Sequence, residues 1–241
     1  MGAAICKSCL GTGIAHDGRG DDARVVFGAP DCSECRGTGK LDHEEEEAMN
    51  PAGLDMVRRA MRFALRRHGD QDYGGSVPYV VHLREVVGVL VGHGLGDSPE
   101  QLEVAFLHDV LEDTDATWSD VHVEFGPVVA DAVAFCTDEP GKNRRERKAA
   151  TYARVRRLLD DQDIDVLPHH TMLGLRCKLA DRIANLRASF RGNADLLSMY
   201  AGESGIFLDS YRFSLDGRCA GMLAEHGMLA EHGRLVEAAR D

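Results

Sequence analysis

The stretch Ala105-Phe106-Leu107-His108-Asp109-Val110-Leu111-Glu112-Asp113-Thr114 decides how the chain is read. An apolar run carries four ionisable residues: His108, Asp109, Glu112 and Asp113. Read as one helix of 3.6 residues per turn, it sets His108 over Glu112 and Asp109 over Asp113. Three carboxylates crowded together repel one another unless a positive charge sits among them. A divalent cation meets that need, with His and Asp as ligands and a remaining carboxylate free to handle protons. Alone, a His-Asp dipeptide would read as the charged end of a surface helix. The rest of the chain favours the metal.

Upstream, Ser98-Pro99-Glu100-Gln101 forms a capping box with proline at the first helical position, and starts the helix that ends in the quoted stretch. Before it, Asn50 caps and Pro51 opens a helix with Leu54, Val57, Met61, Ala64, Leu65 and His68 at helical spacing, closed by Gly69. Residues 70–77 read as a glycine-containing loop. Pro78 opens a second helix, Tyr79 to His93, stopped by Gly94, with His82 among Val86, Val89 and Leu90.

Downstream, Thr117-Trp118-Ser119-Asp120 starts a short helix ending at Phe125-Gly126, and Pro127 to Thr137 is an apolar segment. Further helices are expected over Arg144–Asp161, His169–Phe190, 195–213 and 215–240. The last contains a perfect tandem repeat, Met222 to Gly227 and Met228 to Gly233, read as a local duplication in a surface helix. Strand signals are absent after residue 41, so the main domain is expected to be all-α.

Four candidate ligands come from three of these helices: His82, His108, Asp109 and, 72 residues after Asp109, Asp181. Helices presenting ligands inward are how bundle metal sites are built. Lys178, Asp181 and Asn185 share one helix face. This H…HD…D pattern resembles the HD superfamily of metal-dependent phosphohydrolases. The surrounding words, Pro78-Tyr79-Val80-Val81-His82, Leu107 to Thr114, Phe125-Gly126 and Lys178-Leu179-Ala180-Asp181-Arg182 to Leu186, resemble the hydrolase domain of RelA/SpoT-type proteins and small alarmone hydrolases over roughly residues 54 to 212.

That resemblance implies an HD-domain helical bundle that removes the 3′-pyrophosphate from (p)ppGpp with one Mn²⁺. It implies that His82, His108, Asp109 and Asp181 hold the metal. Glu112 and Asp113 would serve the attacking water as the catalytic pair, and Asn185 would lie by the nucleotide. Lys148, with Arg147, matches a basic pair that neutralises phosphate; for Arg147 a solvated helix face is an equal reading. Lys178 joins the substrate-binding candidates. One departure stands out: Tyr73 and Gly74 occupy the places where the family has Arg and Lys. Tyr73 is then a candidate to stack on a base, or the substrate is less charged. The alternative to an enzyme is an HD-fold nucleotide sensor or regulatory binding protein.

The first 40 residues duplicate one pattern, Cys6-Lys7-Ser8-Cys9-Leu10-Gly11-Thr12-Gly13 and Cys32-Ser33-Glu34-Cys35-Arg36-Gly37-Thr38-Gly39. Two CxxC knuckles can close one four-thiolate site. They resemble the zinc-binding repeats of the DnaJ-type cysteine-rich region, which implies one structural Zn²⁺ on Cys6, Cys9, Cys32 and Cys35. A chaperone reading is the weaker one, because no J-type helix motif accompanies them. The expected organisation is a zinc-binding module at 1–41, an acidic linker at 42–49, the HD hydrolase domain at 50–213 and a C-terminal helix at 214–241.

The formal net charge of −12 argues against general nucleic-acid or membrane-surface binding. No run of apolar residues is long enough to span a bilayer, and no secretion signal is evident, so a cytoplasmic location is expected. A protein partner or homo-oligomerisation would go through the zinc module. The eight histidines at 16, 43, 93, 122, 169, 170, 226 and 232 are expected to be exposed, and Cys136, Cys177 and Cys219 to be buried.

Overall fold

The computed structural model describes residues 4–5, 40–41, 51–73, 77–160, 167–211 and 217–238, and its described residues from Pro51 onward are mostly helical. The four zinc-candidate cysteines and the acidic linker lie outside the described residues. Cα packing divides the chain into two compact units, 1–107 and 108–241.

In the first unit, strand β1 (Ala4–Ile5) pairs antiparallel with β2 (Lys40–Leu41), at the two edges of the cysteine-bearing segment. Helix α1 (Pro51–His68) ends in the basic residues Arg66, Arg67 and His68, and the two arginine cations suit the negative end of the helix dipole. It stops where the sequence predicts, at Gly69, whose φ of +55° is costly for any residue with a Cβ. The expected loop contains a feature the sequence does not signal. Strand β3 (Asp72–Tyr73) pairs with β4 (Val77–Pro78), so the segment folds back on itself. Each strand is two residues long, too short for an alternating pattern to register. Helix α2 (Tyr79–Gly92) follows, and α3 (Pro99–Leu107) packs on both α1 and α2. Every residue of α3 from Gln101 to Leu107 is buried. Ser98 caps α3 by accepting the Gln101 backbone N–H, while its hydroxyl donates to Glu100.

The second unit begins with α4 (Val110–Asp113), then α5 (Trp118–Phe125) and α6 (Pro127–Cys136). The Thr117–Asp120 capping box is present in both directions. Helices α7 (Arg144–Asp160), α8 (His169–Gly192), α9 (Ala194–Tyr211) and α10 (Ala220–Ala238) complete it, with a 3₁₀ turn at Gly217–Cys219. Helix α8 is the central element and packs against α6, α9 and α10. At Gly174 a Cβ would lie 2.6 Å from the Phe135 ring, so glycine is what lets α6 and α8 approach.

The tandem repeat corrects the reading of α10 as a plain surface helix. A six-residue offset turns the second copy about 240° from the first. Met222 and His226 of the first copy are buried, whereas Met228 and His232 of the second are exposed. His226 is therefore not the exposed histidine that composition alone suggests; it stacks against Phe207, 5.9 Å between ring centroids. Cys136, Cys177 and Cys219 are buried as expected. Among the described residues, no helix is long and apolar enough to cross a membrane.

Candidate active site

The quoted stretch is not one helix. Helix α3 ends at Leu107, His108 and Asp109 form a turn, and α4 restarts at Val110. Asp109 is the N-cap of α4, and its carbonyl accepts the backbone N–H groups of Glu112 and Asp113. A short polar residue suits such a position. Thr114 closes α4 by donating its hydroxyl to the Val110 carbonyl. The break separates the four ionisable residues by environment. His108 is buried, Asp109 is half-buried, and Glu112 and Asp113 are exposed on α4.

Two carboxylates converge on the His108 ring. Asp109 Oδ2 lies 2.9 Å from His108 Nε2, and Asp181 Oδ1 lies 3.8 Å from the same nitrogen. Asp181 comes from α8, where Asn185 donates its amide to Asp181 Oδ1 at 2.6 Å and to the Asp181 carbonyl at 3.0 Å. Lys178, one turn earlier, places Nζ 3.8 Å from Asp181 Oδ2. Burial works against a charged His108, but Asp109 and Asp181 outweigh it and hold its pKa well above the ordinary value. A cation is thus favoured at this point, and a divalent ion would take the proton's place. The donor set, an imidazole facing two carboxylates, fits a borderline or hard divalent metal.

In the first unit, His82 is buried on α2 and stacks on Tyr73 at 4.5 Å with 15° between the ring planes. Tyr79 meets His82 edge-on and stacks on His68, which Gln71 bonds through its side-chain oxygen at 2.6 Å. Tyr73, the residue standing in place of the family's basic pair, thus presents a ring face to His82.

Beside Asp181 the second unit holds a small cleft. Arg144, Lys148, Lys178 and Arg182 line it with Asn185 and Tyr200. Lys148 is therefore a cleft residue, whereas Arg147, one position around the helix, is not among those lining it. Glu203 accepts two hydrogen bonds from Arg144 and one from Arg182, which fixes both guanidinium groups. Arg182 also lies over the Tyr200 ring at 4.9 Å. Burial lowers the Lys148 pKa, as does Lys178, against the pull of Asp138. Although the Glu112 residue is exposed as a whole, partial desolvation of its carboxyl and the Asp138 charge raise its pKa.

Sequence reasoning missed Asp138, Arg144, Arg182, Tyr200 and Glu203 as parts of this region. Arg182 directly follows Asp181 and was within reach. Tyr200 and Glu203 stand on α9 in no recognisable word, and Asp138 follows an apolar helix as an ordinary loop residue would.

Residues 60–204 match the family model described as HD domain. The chain belongs to the HD domain family, whose enzymes are metal-dependent hydrolases. It is similar to the guanosine-3′,5′-bis(diphosphate) 3′-pyrophosphohydrolase MESH1 of Danio rerio, with 29% identity over 141 residues, 58% of this chain and 72% of that protein. It is also similar to the guanosine-3′,5′-bis(diphosphate) 3′-pyrophosphohydrolase of Aquifex aeolicus (strain VF5), with 31% identity over 153 residues, 63% of this chain but 20% of that longer protein. A solved structure of a metazoan ortholog of SpoT that hydrolyses ppGpp shares the fold, with a TM-score of 0.59 and 23% identity over 77% of this chain and 98% of that one.

Proposed function

We propose that the protein is a Mn²⁺-dependent hydrolase that removes the 3′-pyrophosphate from (p)ppGpp. The observation that carries this reading is the convergence of Asp109 and Asp181 on His108 beside a cleft lined by four cationic side chains. The relatives named as pyrophosphohydrolases support the same substrate.

In this reading His108, Asp109 and Asp181 hold the metal, and His82 is proposed as the further imidazole ligand; a mixed imidazole and carboxylate set suits such an ion. When bound, the ion polarises a phosphoryl oxygen and acidifies water. Glu112, whose pKa is raised by burial and by the Asp138 charge, accepts the proton of the attacking water, with Asp113 beside it on α4. Lys148 and Lys178 offset phosphate charge, and Arg144 and Arg182 are held ready for a second phosphate group by Glu203. Asn185 fixes the Asp181 carboxylate and faces the cleft. Tyr73 contributes an aromatic surface in place of two cations.

The N-terminal module binds one structural Zn²⁺ through Cys6, Cys9, Cys32 and Cys35, and serves as the surface for a protein partner or a second copy. The protein works in the cytoplasm.

The test is turnover with Mn²⁺ across ppGpp, pppGpp, NADPH, GTP and dNTPs, with Asp109→Ala as control. Pyrophosphate released from ppGpp and lost in the variant is the expected result. Silence across the panel with Mn²⁺ bound would favour the sensor reading instead.

A further inference from the structure

Asp138 has no place in the metal set or in the cleft lining, yet it touches the neighbours of both. It lies just past the C-terminus of α6, and its side chain is only 3% exposed. Asp138 Oδ2 lies 2.8 Å from Lys148 Nζ, and Lys148 lines the cleft beside Asp181. The backbone N–H of the same Asp138 donates to Glu112 Oε2 at 3.2 Å. One residue therefore grips the phosphate-facing cation with its side chain and the proton-handling carboxylate with its main chain.

The backbone around it is fixed. Arg154 donates to the carbonyls of Phe135 and Thr137 at 3.1 and 3.0 Å. On the other side, the Glu139 N–H donates to Thr151 Oγ1 at 2.8 Å. Burial alone would push the Asp138 carboxyl up, but Lys178 and Lys148 hold it below the usual range, so it stays ionised against Lys148. A buried carboxylate held between two lysines is costly to assemble, and a residue placed only to fill the core would be apolar.

We propose that Asp138 is a positioning residue that locks Lys148 and Glu112 into one geometry, so that the phosphate-binding cation and the water-activating base move together. This rests on the hydrolase reading above. Asp138 works through Lys148 and Glu112 and does not itself contact the substrate.

The experiment is a double-variant cycle of Asp138→Asn and Lys148→Ala in the full chain. Asp138→Asn keeps the size and the backbone N–H and removes the charge; Asp138→Ser replaces it if the amide variant does not fold. Asp138→Asn is expected to lower kcat/KM by about 10- to 100-fold, with a higher KM as well as a lower kcat, at an intact cooperative melt. The double variant is expected to be no worse than Lys148→Ala by more than about twofold, because the two side chains act as a unit. Wild-type kcat and KM in Asp138→Asn, or losses that multiply in the double variant, would overturn the inference. If the wild type hydrolyses no nucleotide, it is the hydrolase reading that fails. The same cycle is then read by calorimetry with inorganic pyrophosphate, where the two losses must again fail to multiply; independent losses, or no binding to weaken, overturn the inference.

Discussion

Asn185 and Asp181 are bonded side chain to side chain across one turn of α8, at 2.6 Å, and a second bond from the same amide reaches the Asp181 carbonyl. The asparagine that the family resemblance places by the nucleotide is therefore also the support of a candidate metal ligand. Supports of this kind carry about 10- to 100-fold in metal affinity. Asn185→Ala is expected to weaken Mn²⁺ binding by that much while leaving the helical circular dichroism unchanged. Titration of Mn²⁺ by calorimetry or electron paramagnetic resonance checks it, and an unchanged affinity would return Asn185 to a purely substrate-facing role.

The two copies of the six-residue word on α10 form an internal control on burial. Met222 is fully buried and Met228 is 68% exposed. Met222→Ala is expected to cost about 2–4 kcal/mol and Met228→Ala less than about 0.5 kcal/mol. The glycines divide in the same way. A Cβ at Gly233 would lie 2.7 Å from that of Ala201 and 3.0 Å from the Leu197 carbonyl, whereas at Gly227 it would meet nothing within 4 Å. Gly233→Ala is expected to destabilise by about 1–3 kcal/mol. Gly227→Ala is expected to stabilise by about 0.5–1 kcal/mol. Urea midpoints of the four variants decide the matter.

Much of the fold was legible because its signals are local. Gly69 and Gly94 end their helices at positive φ, and Thr117 and Asp120 form the predicted cap. The ligand candidates were legible because a His-Asp pair within an apolar run needs a reason to be there. What was not legible depends on packing. Nothing in the quoted stretch announces that the helix breaks at His108, since both halves have helical composition. Nothing in the repeat says which copy turns inward. Asp138 acquires its meaning from Lys148, ten residues on, and from Glu112, both of which require the fold to bring them near.

A buried carboxylate in the first unit makes stability depend on pH. Glu103 is fully buried on α3, with Arg59 3.9 Å away, and burial raises its pKa to about 7 despite the Arg59 charge. The folded chain thus binds this proton more tightly than the unfolded chain, whose value is 4.5. The contribution of Glu103 to stability is present below pH 4.5 and is lost as pH rises to about 7. His226 acts in the opposite sense: burial, with Arg182 and Arg234, lowers its pKa to about 4, so its contribution is lost as pH falls. A difference measurement separates them. Relative to wild type, Glu103→Gln is expected to gain roughly 3 kcal/mol at pH 8 and almost nothing at pH 4.5. An equal gain at both values would mean that the carboxyl does not titrate in this window.

In the proposed function, His82, His108, Asp109 and Asp181 would hold the metal that supports hydrolysis of the 3′-pyrophosphate of a guanosine alarmone. The most direct measurement is the identity of the products released from ppGpp by the full chain with Mn²⁺. GDP and pyrophosphate are expected in equal amounts, in a reaction abolished by chelation and by Asp109→Ala. Release of single phosphates, or turnover that survives Asp109→Ala, would contradict it.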